Sequence, residues 1–545
     1  MRRVGIYGWG IVAPEAANVD EFAERLGCAE SWLAPFEGFG PNNFMVGRPR
    51  FSFETYRPWI EQRFPPNRYP QLRDKMDPST LYAVGAFIQA LGQNPGLEEE
   101  LAALGGAAHV YVGTGLGALP TIFEISIAYH RAQRRWNRFW ADPERNAALA
   151  AHLAGVGLDE DAPAPPEEAG AEEAEVAREA WHAYWAARSE KLQDYLAELR
   201  EIEAMQVEGE IEAGKLRMMK EKRRRKTRLQ ERWGAPEPPW NAVSANLLWN
   251  ISNNPASQIS MLGRITGLTF APVAACSTFG VALKLALDAV RRGEAKAVVV
   301  GAADAPPHPL TVGGFYSARV TSGDGTVSKP LTALRGTHVS GGAAIWIVGD
   351  YEHMSARGFS PLGMEPLAVG TSADADHIIT PSKEGPKAAV EQALAAAGAA
   401  PAEIASWDLH ATATPGDYTE VETLREVVPG DVLVTARKGT FGHGMGACGG
   451  WELTAQYLGY QRGTLYPTPL AEGELNEQIA GLHRRFVFDR ACPPPHGLAG
   501  KLSMGIGGIN ACVVSRPWPE VERGAPAARP PEPAEPPGGP DGSAA

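Results

Sequence analysis

The feature that most restricts how this chain can fold is the run Thr269-Phe-Ala-Pro-Val-Ala-Ala-Cys-Ser-Thr-Phe-Gly-Val-Ala-Leu-Lys284, where an apolar strand pattern passes into an apolar helix with a thiol at the junction. Thr269 to Ala275 has the length and composition of a buried strand. Val281, Leu283, Leu285, Leu287 and Val290 then give a helix that is apolar nearly all round and stops near Arg291-Arg292-Gly293. Ala297 to Ala303, Ala-Val-Val-Val-Gly-Ala-Ala, reads as a second buried strand. A strand, helix and strand this apolar must be covered on both faces, which predicts an α/β protein with a parallel or mixed sheet. Cys276 falls at the helix N-terminus, where unpaired N–H groups and the positive end of the macrodipole lower a thiol's pKa and hold a developing oxyanion. Taken alone, it suits a small buried hydrophobe equally well.

Two downstream segments bear on that choice. Trp407-Asp-Leu-His-Ala-Thr-Ala-Thr-Pro-Gly-Asp417 puts His410 at the end of a short strand, before small residues and a Pro-Gly break. Val434-Thr-Ala-Arg-Lys-Gly-Thr-Phe-Gly-His-Gly-Met-Gly-Ala-Cys-Gly-Gly-Trp451 puts Lys438 and His443 in a glycine-rich loop that opens a helix. A thiol, two imidazoles and an amine thus all lie in loops after strands. Each histidine alone has an equally simple structural reading, and spacing does not show that they converge.

In these segments the chain resembles the β-ketoacyl-acyl-carrier-protein synthases, the decarboxylating condensing enzymes of the thiolase superfamily. Further matches occur in order: Val4-Gly-Ile-Tyr-Gly-Trp-Gly-Ile-Val-Ala-Pro14, Val112-Gly-Thr-Gly-Leu-Gly117, Asn254-Pro-Ala-Ser-Gln-Ile-Ser-Met-Leu-Gly263 and Leu502-Ser-Met-Gly-Ile-Gly-Gly-Ile-Asn-Ala-Cys512. The resemblance implies a five-layered αβαβα thiolase-like fold of two similar halves. It assigns Cys276 as the acyl-accepting nucleophile, and His410 and His443 as the pair that binds the malonyl thioester carbonyl and promotes decarboxylation. Lys438 becomes the lysine that organises the second histidine, Asp417 and Glu420 the supporting carboxylates, and the N–H groups of Cys276 and Ile506 the oxyanion hole. A Cys-His-His set fits a synthase of this type better than a thiolase, with its second catalytic cysteine, or the Cys-His-Asn branch. The implied partner is an acyl carrier protein, and the implied assembly a homodimer or a heterodimer with a related subunit. No cofactor is implied.

Some positions depart from the family pattern. Arg335-Gly-Thr-His-Val-Ser-Gly-Gly-Ala-Ala344 stands where an Asp-Gly-Phe-x-x-Gly-Glu-Gly run is usual, so Gly341 replaces a glutamate expected beside the active-site lysine. Lys438 thus lacks its usual counter-charge, and a buried lysine without one has a lowered pKa or moves toward solvent, so either another carboxylate substitutes or the lysine's role is weakened. His338 is a further histidine in this segment. Ile506 replaces a phenylalanine that gates the acyl pocket in relatives, which implies a different gate.

With 545 residues and a net charge of −13, the chain has the balance of an ordinary acidic enzyme and not of a nucleic-acid binder. No apolar run approaches the ~18 residues of a membrane span, and the apolar stretch after Arg2-Arg3 is broken by Gly8, Gly10 and Pro14. The cysteines Cys28, Cys276, Cys448, Cys492 and Cys512 are odd in number and hold no C-x-x-C pair, which predicts a reducing, cytoplasmic setting and no zinc site. Residues 1–149 and 240–350 are expected to form the first half, 351–515 the second, 150–239 a charged helical insertion, and 516–545 a disordered Pro-rich tail. In the insertion, the proline-free stretch from Glu167 to Trp233 predicts a long helix or a helical hairpin; Trp181, Trp185, Leu192, Tyr195, Leu199 and Ile202 recur on one side of a helix, and Gly209 and Gly214 suggest a bend or a break into two helices. Its Lys220 to Arg228 run is a docking candidate for an acidic carrier protein, or simply a solvated helix end. The function expected is a 3-oxoacyl synthase of fatty-acid or polyketide type. The alternatives are a non-catalytic chain-length or scaffold subunit of a synthase heterodimer, and an acyltransferase to an alcohol or amine.

Overall fold

The computed structural model describes residues 2–428 and 430–519. The chain separates into two compact units, one formed by Met1–Leu119 with the described chain from Asn250, the other by Pro120–Trp249.

The first unit contains two five-stranded sheets. In the first, β1 (Val4–Val12), β2 (Ala108–Gly113), β3 (Thr269–Phe270), β4 (Ala297–Asp304) and β5 (Gly342–Asp350) lie in the order β1-β5-β4-β2-β3. In the second, β6 (Met364–Ala373), β7 (Ile404–Asp408), β8 (Leu433–Thr435), β9 (Leu498–Gly505) and β10 (Ile509–Pro517) lie in the order β6-β10-β9-β7-β8. The two orders match strand for strand, and so do the directions. β5 is antiparallel to both β1 and β4, while β2 runs parallel to β4 and β3. β10 is likewise antiparallel to β6 and β9, and β7 parallel to β9 and β8. The duplicated halves are therefore visible in topology alone.

Helices fill the remaining three layers. α1 (Pro78–Leu91) and α2 (Asn254–Gly263) cover the outside of the first sheet, α3 (Thr278–Arg292) and α6 (Met445–Arg462) lie between the sheets, and α4 (Glu384–Ala397), next to α5 (Gly416–Val427), covers the second. This is the five-layered thiolase-like arrangement. Composition explains the tight layers. A Cβ at Gly10 in β1 would lie 1.8 Å from the Ala86 carbonyl of α1, so only glycine lets strand and helix approach this closely. α6 is buried from Met445 to Tyr460, and Gly450 lets it pass Ala344 of the first sheet and Phe279 of the neighbouring α3. Trp346 anchors this middle layer, with Phe279 and Tyr457 each 5.1 Å away between ring centroids.

Three expectations need correction here. The strand expected over Thr269–Ala275 pairs only at Thr269–Phe270. Pro272 has no N–H to give a ladder, and Ala275 turns the chain with φ of 47°. The disordered tail expected from 516 does not start there: Arg516 and Pro517 complete β10, Arg516 pairs with Glu365 at 2.6 Å, and Trp518 is buried. The remainder of that tail, 520–545, lies outside the described residues. Finally, 167–233 forms neither one long helix nor a two-helix hairpin, but three α-helices.

In the second unit the helices are Leu119–Trp140, Ala147–Leu153, Ala174–Ala187, Glu190–Glu203 and Ile211–Trp233. The compact unit thus takes in residues from 120, ahead of the insertion start drawn at 150. Ser189 divides the expected apolar stripe by capping a new helix, its hydroxyl accepting from Leu192 N at 3.2 Å. Trp181 and Trp185 fall on one helix and Leu192, Tyr195 and Leu199 on the next, all buried. Trp136 and Trp140 join that core, with ring centroids 5.6 and 5.4 Å from Tyr195. Gly209 sits at the next break with φ of 77°, whereas Gly214 lies inside the last helix against Val207 and Glu208. Much of the basic run is already paired: Lys222 and Lys226 meet Glu203, and Arg224 and Arg225 meet Glu221.

Candidate active site

Cys276 sits in a single 3-10 turn, Ala275–Ser277, that leads into α3. The left-handed Ala275 is an unusual conformation for a residue with a side chain, and it aims the thiol out of the strand–helix corner. Two contacts hold the corner. Ala274 N donates to Thr278 Oγ1 at 3.0 Å, and Ser277 Oγ donates to Ile509 O at 2.7 Å across the β9–β10 turn. That turn carries Ile506, so the N–H groups of Cys276 and Ile506 both approach the sulfur.

His443 Nε2 lies 3.0 Å from Cys276 Sγ. The His410 ring meets the His443 ring edge-on, 5.4 Å between centroids. Cys276, His410, His443 and Ile506 all line one cleft, enclosing about 610 Å³, whose walls include Phe315, Val320, Ile379 and Met504. The structure thus brings together the thiol and both imidazoles that the sequence singled out.

The carboxylates hold the histidine loop. Glu420, on α5, accepts from His410 N at 2.6 Å and Ala411 N at 2.7 Å. Asp417 accepts from Thr412 N at 2.8 Å, Ala413 N at 3.1 Å and Leu331 N at 2.9 Å. Both act on backbone and neither touches an imidazole. Burial pushes Glu420 up to about 7 and Asp417 up to about 6, against the donors that favour their charged forms.

Lys438 is fully buried and donates to the His410 carbonyl; its Nζ also lies 3.4 Å from His410 Nδ1. Of the two outcomes left open for Lys438, the structure shows the first: another carboxylate substitutes. Lys438 Nζ meets Glu452 Oε1 at 2.6 Å, and Lys501 Nζ lies 2.6 Å from Glu452 Oε2. Burial disfavours the Lys438 ammonium, but the carboxylate outweighs it and holds the pKa above the ordinary value. Gly341 has no room for any side chain, since a Cβ there would sit 2.0 Å from Ala305 O. Sequence reasoning passed over Glu452. Its signal was a lone carboxylate in an otherwise apolar stretch, Met445 to Leu453.

Protonation states follow from burial. The Cys276 thiol is pushed up to about 11, despite lowering by the Ile506 N–H and by Lys438. The helix terminus therefore does not leave a resting thiolate, because desolvation of the sulfur outweighs the donors. Burial first, then the positive charge of Lys438, holds both histidines well below their usual value, so both are neutral at pH 7. His338 lies apart from this chemistry. Its Nε2 accepts from Ser328 N at 2.7 Å, and its Nδ1 contacts Met45 O at 3.1 Å.

Asp304 is a further residue the sequence reading passed over. At the end of β4 it accepts from Thr114 Oγ1 at 3.0 Å, Gly115 N at 2.9 Å, Leu116 N at 2.9 Å and Gly446 N at 2.8 Å. It ties the loop after β2 to the first turn of α6. Among the described residues no cluster of side chains suits a metal ion, and no helix is long and apolar enough to cross a membrane.

Sequence models described as the N-terminal and C-terminal domains of β-ketoacyl synthase match residues 222–353 and 366–471. Nodulation protein E of Rhizobium sp. (strain N33) is 31% identical over 218 residues, covering 39% of this chain and 54% of that protein. 3-Oxoacyl-acyl-carrier-protein synthase I, chloroplastic, of Arabidopsis thaliana is 30% identical over 214 residues, covering 37% of this chain and 45% of that protein. The chain spans about half the length of the curated relatives it matches. The solved structure of the ishigamide ketosynthase/chain length factor aligns over 95% of this chain and 100% of that one, with a TM-score of 0.66 and 21% identity, a likeness of fold. With both halves matched in chain order, and the thiol and the two imidazoles falling inside the matched segments, the chain belongs to the β-ketoacyl synthase family of condensing enzymes.

Proposed function

We propose that this protein is a 3-oxoacyl-acyl-carrier-protein synthase that loads an acyl group on Cys276 and extends it with a malonyl carrier-protein thioester. The observation that carries the reading is the 3.0 Å contact between Cys276 Sγ and His443 Nε2, with His410 beside it in the same cleft.

In the first half-reaction the sulfur attacks the acyl thioester carbonyl as its proton passes to His443 Nε2. The tetrahedral oxyanion takes the N–H groups of Cys276 and Ile506. The C–S bond to the carrier then breaks, and the departing carrier sulfur takes the proton back from His443. A neutral imidazole is the form able to accept that proton, which agrees with the depressed pKa of His443.

In the second half-reaction, malonyl loses CO2 and the electron pair of the broken C–C bond becomes an enolate on the thioester oxygen. For this step His443 takes up its other neutral tautomer, with the hydrogen on Nε2, and the two neutral imidazoles then direct N–H groups into the cleft and stabilise that oxygen more as its charge grows. Lys438 sets the His410 tautomer: an ammonium facing Nδ1 leaves the hydrogen on Nε2. The enolate carbon attacks the acyl-cysteine carbonyl, the C–S bond to Cys276 breaks, and the thiolate regains a proton. The product is longer by two carbons.

We place the enzyme in fatty-acid or polyketide-type synthesis, in the cytoplasm and as a homodimer. Of the two features that favour a non-catalytic subunit, Gly341 carries less weight, because Glu452 supplies the counter-charge to Lys438; the added helical unit is the other. Intact mass of wild type and Cys276→Ala, after exposure to a panel of acyl carrier-protein thioesters and then malonyl carrier protein, tests the proposal. An adduct on wild type alone, discharged to a two-carbon-longer product, is expected. No adduct on folded protein would refute it, and an adduct that malonyl does not discharge would favour transfer to another acceptor.

A further inference from the structure

Beneath the two imidazoles lies a set of buried charges larger than the proposed mechanism uses. Arg437, Lys438 and Lys501 face Asp408 and Glu452, three cations against two carboxylates. Arg437 Nε meets Asp408 Oδ2 at 2.7 Å. Lys501, on β9, stands in register with Asp408 on β7, and its Nζ donates to Leu502 O at 2.6 Å while lying 2.6 Å from Glu452 Oε2. Glu420 faces the same group from α5, but its oxygens are occupied by His410 N and Ala411 N. The thiols of Cys448 on α6 and Cys512 on β10 adjoin the cluster and are neutral, burial pushing each up to about 12.

We propose that Lys501 is a positioning residue for the decarboxylation step: by sharing Glu452 with Lys438, it keeps that carboxylate ionised and fixed, so that the Lys438 ammonium stays aimed at His410. The geometry requires a second cation there. With Lys438 alone, Glu452 would have one oxygen committed and the other buried without a partner, a state that favours a shared proton between the two groups. A Lys438 that had given up its proton would no longer dictate which nitrogen of His410 carries hydrogen. Lys501 also adds a second ammonium near both histidines, where its charge opposes their protonation and favours the enolate.

This role rests on the reading of His410 as a donor to the malonyl carbonyl. Losing a direct donor of this kind costs ~10²–10³ in rate; a residue acting through two others is expected to cost about tenfold. The test is Lys501→Met, which leaves a balanced Lys438–Glu452 pair, beside Lys501→Arg, which keeps the charge. Stopped-flow acylation, CO2 release from malonyl carrier protein and the pH profile of kcat are measured on each. Lys501→Met should acylate Cys276 at the wild-type rate, release CO2 about tenfold more slowly with KM unchanged, and show its acid limb moved to higher pH, because both Glu452 and the imidazoles then protonate more readily. Lys501→Arg should recover most of the rate. A Lys501→Met enzyme with wild-type decarboxylation and pH profile overturns the proposal, as does equal loss in the Met and Arg variants at equal melting temperature. Wild type that neither acylates nor releases CO2 would instead overturn the functional reading on which the proposal rests.

Discussion

Replacing Glu452 by glutamine keeps the shape of the side chain and removes one charge, which makes it a direct probe of the buried cluster. Glu452 meets Lys438 and Lys501 at 2.6 Å each, with all three side chains about 1% exposed. Two ammoniums would then share a dry site with no carboxylate between them, and breaking a buried pair in this way costs about 3–5 kcal/mol. Unfolding entropy of ~2.1 cal/mol/K per residue, over a unit of roughly 400 residues, converts that loss to a fall in Tm of about 4–6 °C. The pH dependence carries a sign. In wild type the carboxylate holds Lys438 above its ordinary pKa; in the variant, burial drives Lys438 below the unfolded value of about 10.4. The unfolded chain then binds more protons than the folded one at neutral pH, so the variant's stability rises with pH toward ~10. Differential scanning calorimetry at pH 7 and pH 9.5 should therefore show a deficit that shrinks at the higher pH. A variant melting within about 1 °C of wild type at pH 7, or with the same deficit at both, would refute the account of a charge-balanced core.

Other substitutions separate positions that chemistry uses from positions that packing uses. His443→Ala removes the group 3.0 Å from the thiol and should lower condensation by about 10²–10³ in kcat, measured by product formation, with Tm changed little. His338→Ala leaves Ser328 N without its acceptor and should cost about 1–3 kcal/mol of stability in urea unfolding, with kcat unchanged once the protein is folded. Gly10→Ala forces a Cβ to within 1.8 Å of Ala86 O and should cost about 1–3 kcal/mol or more, seen as a lower Tm or as insoluble protein.

Much of the site could be read in the sequence because its residues sit at corners that local signals mark. Cys276 lies where an apolar strand becomes an apolar helix, His410 where a strand meets small residues, and His443 in a glycine run. The Ser189 cap was missed because Arg188-Ser189-Glu190 sits inside an unbroken stripe of tryptophans and leucines, and one hydroxyl weighs little against that periodicity. Glu452 and Lys501 were missed for a different reason. They lie on separate elements, α6 and β9, and only tertiary pairing makes a carboxylate inside an apolar helix meaningful. The raised thiol pKa was equally out of reach, since a helix N-terminus is visible in a sequence and the depth of its burial is not.

The duplicated topology explains why the chemistry falls where it does. β3 leads into α3 in one half as β8 leads into α6 in the other, and α3 and α6 pack together between the sheets. The two strand–helix corners are therefore equivalent, and they face a common site: one supplies Cys276, the other Lys438 and His443. The ends of β4 and β9 are equivalent too. At β9 the turn brings the Ile506 N–H to the sulfur, while at β4 Asp304 accepts from Gly115 N, Leu116 N and Gly446 N. The end of β7 offers His410, and the matching end of β2 offers the Thr114–Leu116 loop that Asp304 holds. At two of the three matched places one half carries a group that faces the reaction and the other a carboxylate or loop that ties backbone together; at the strand–helix corners both halves face the reaction. Asp304 binds the first turn of α6 from the opposite half, so the sheet that carries the thiol corner also fixes the start of the helix that follows His443. A site divided in this way needs both halves docked before any chemistry is possible, because neither half alone places a thiol beside an imidazole.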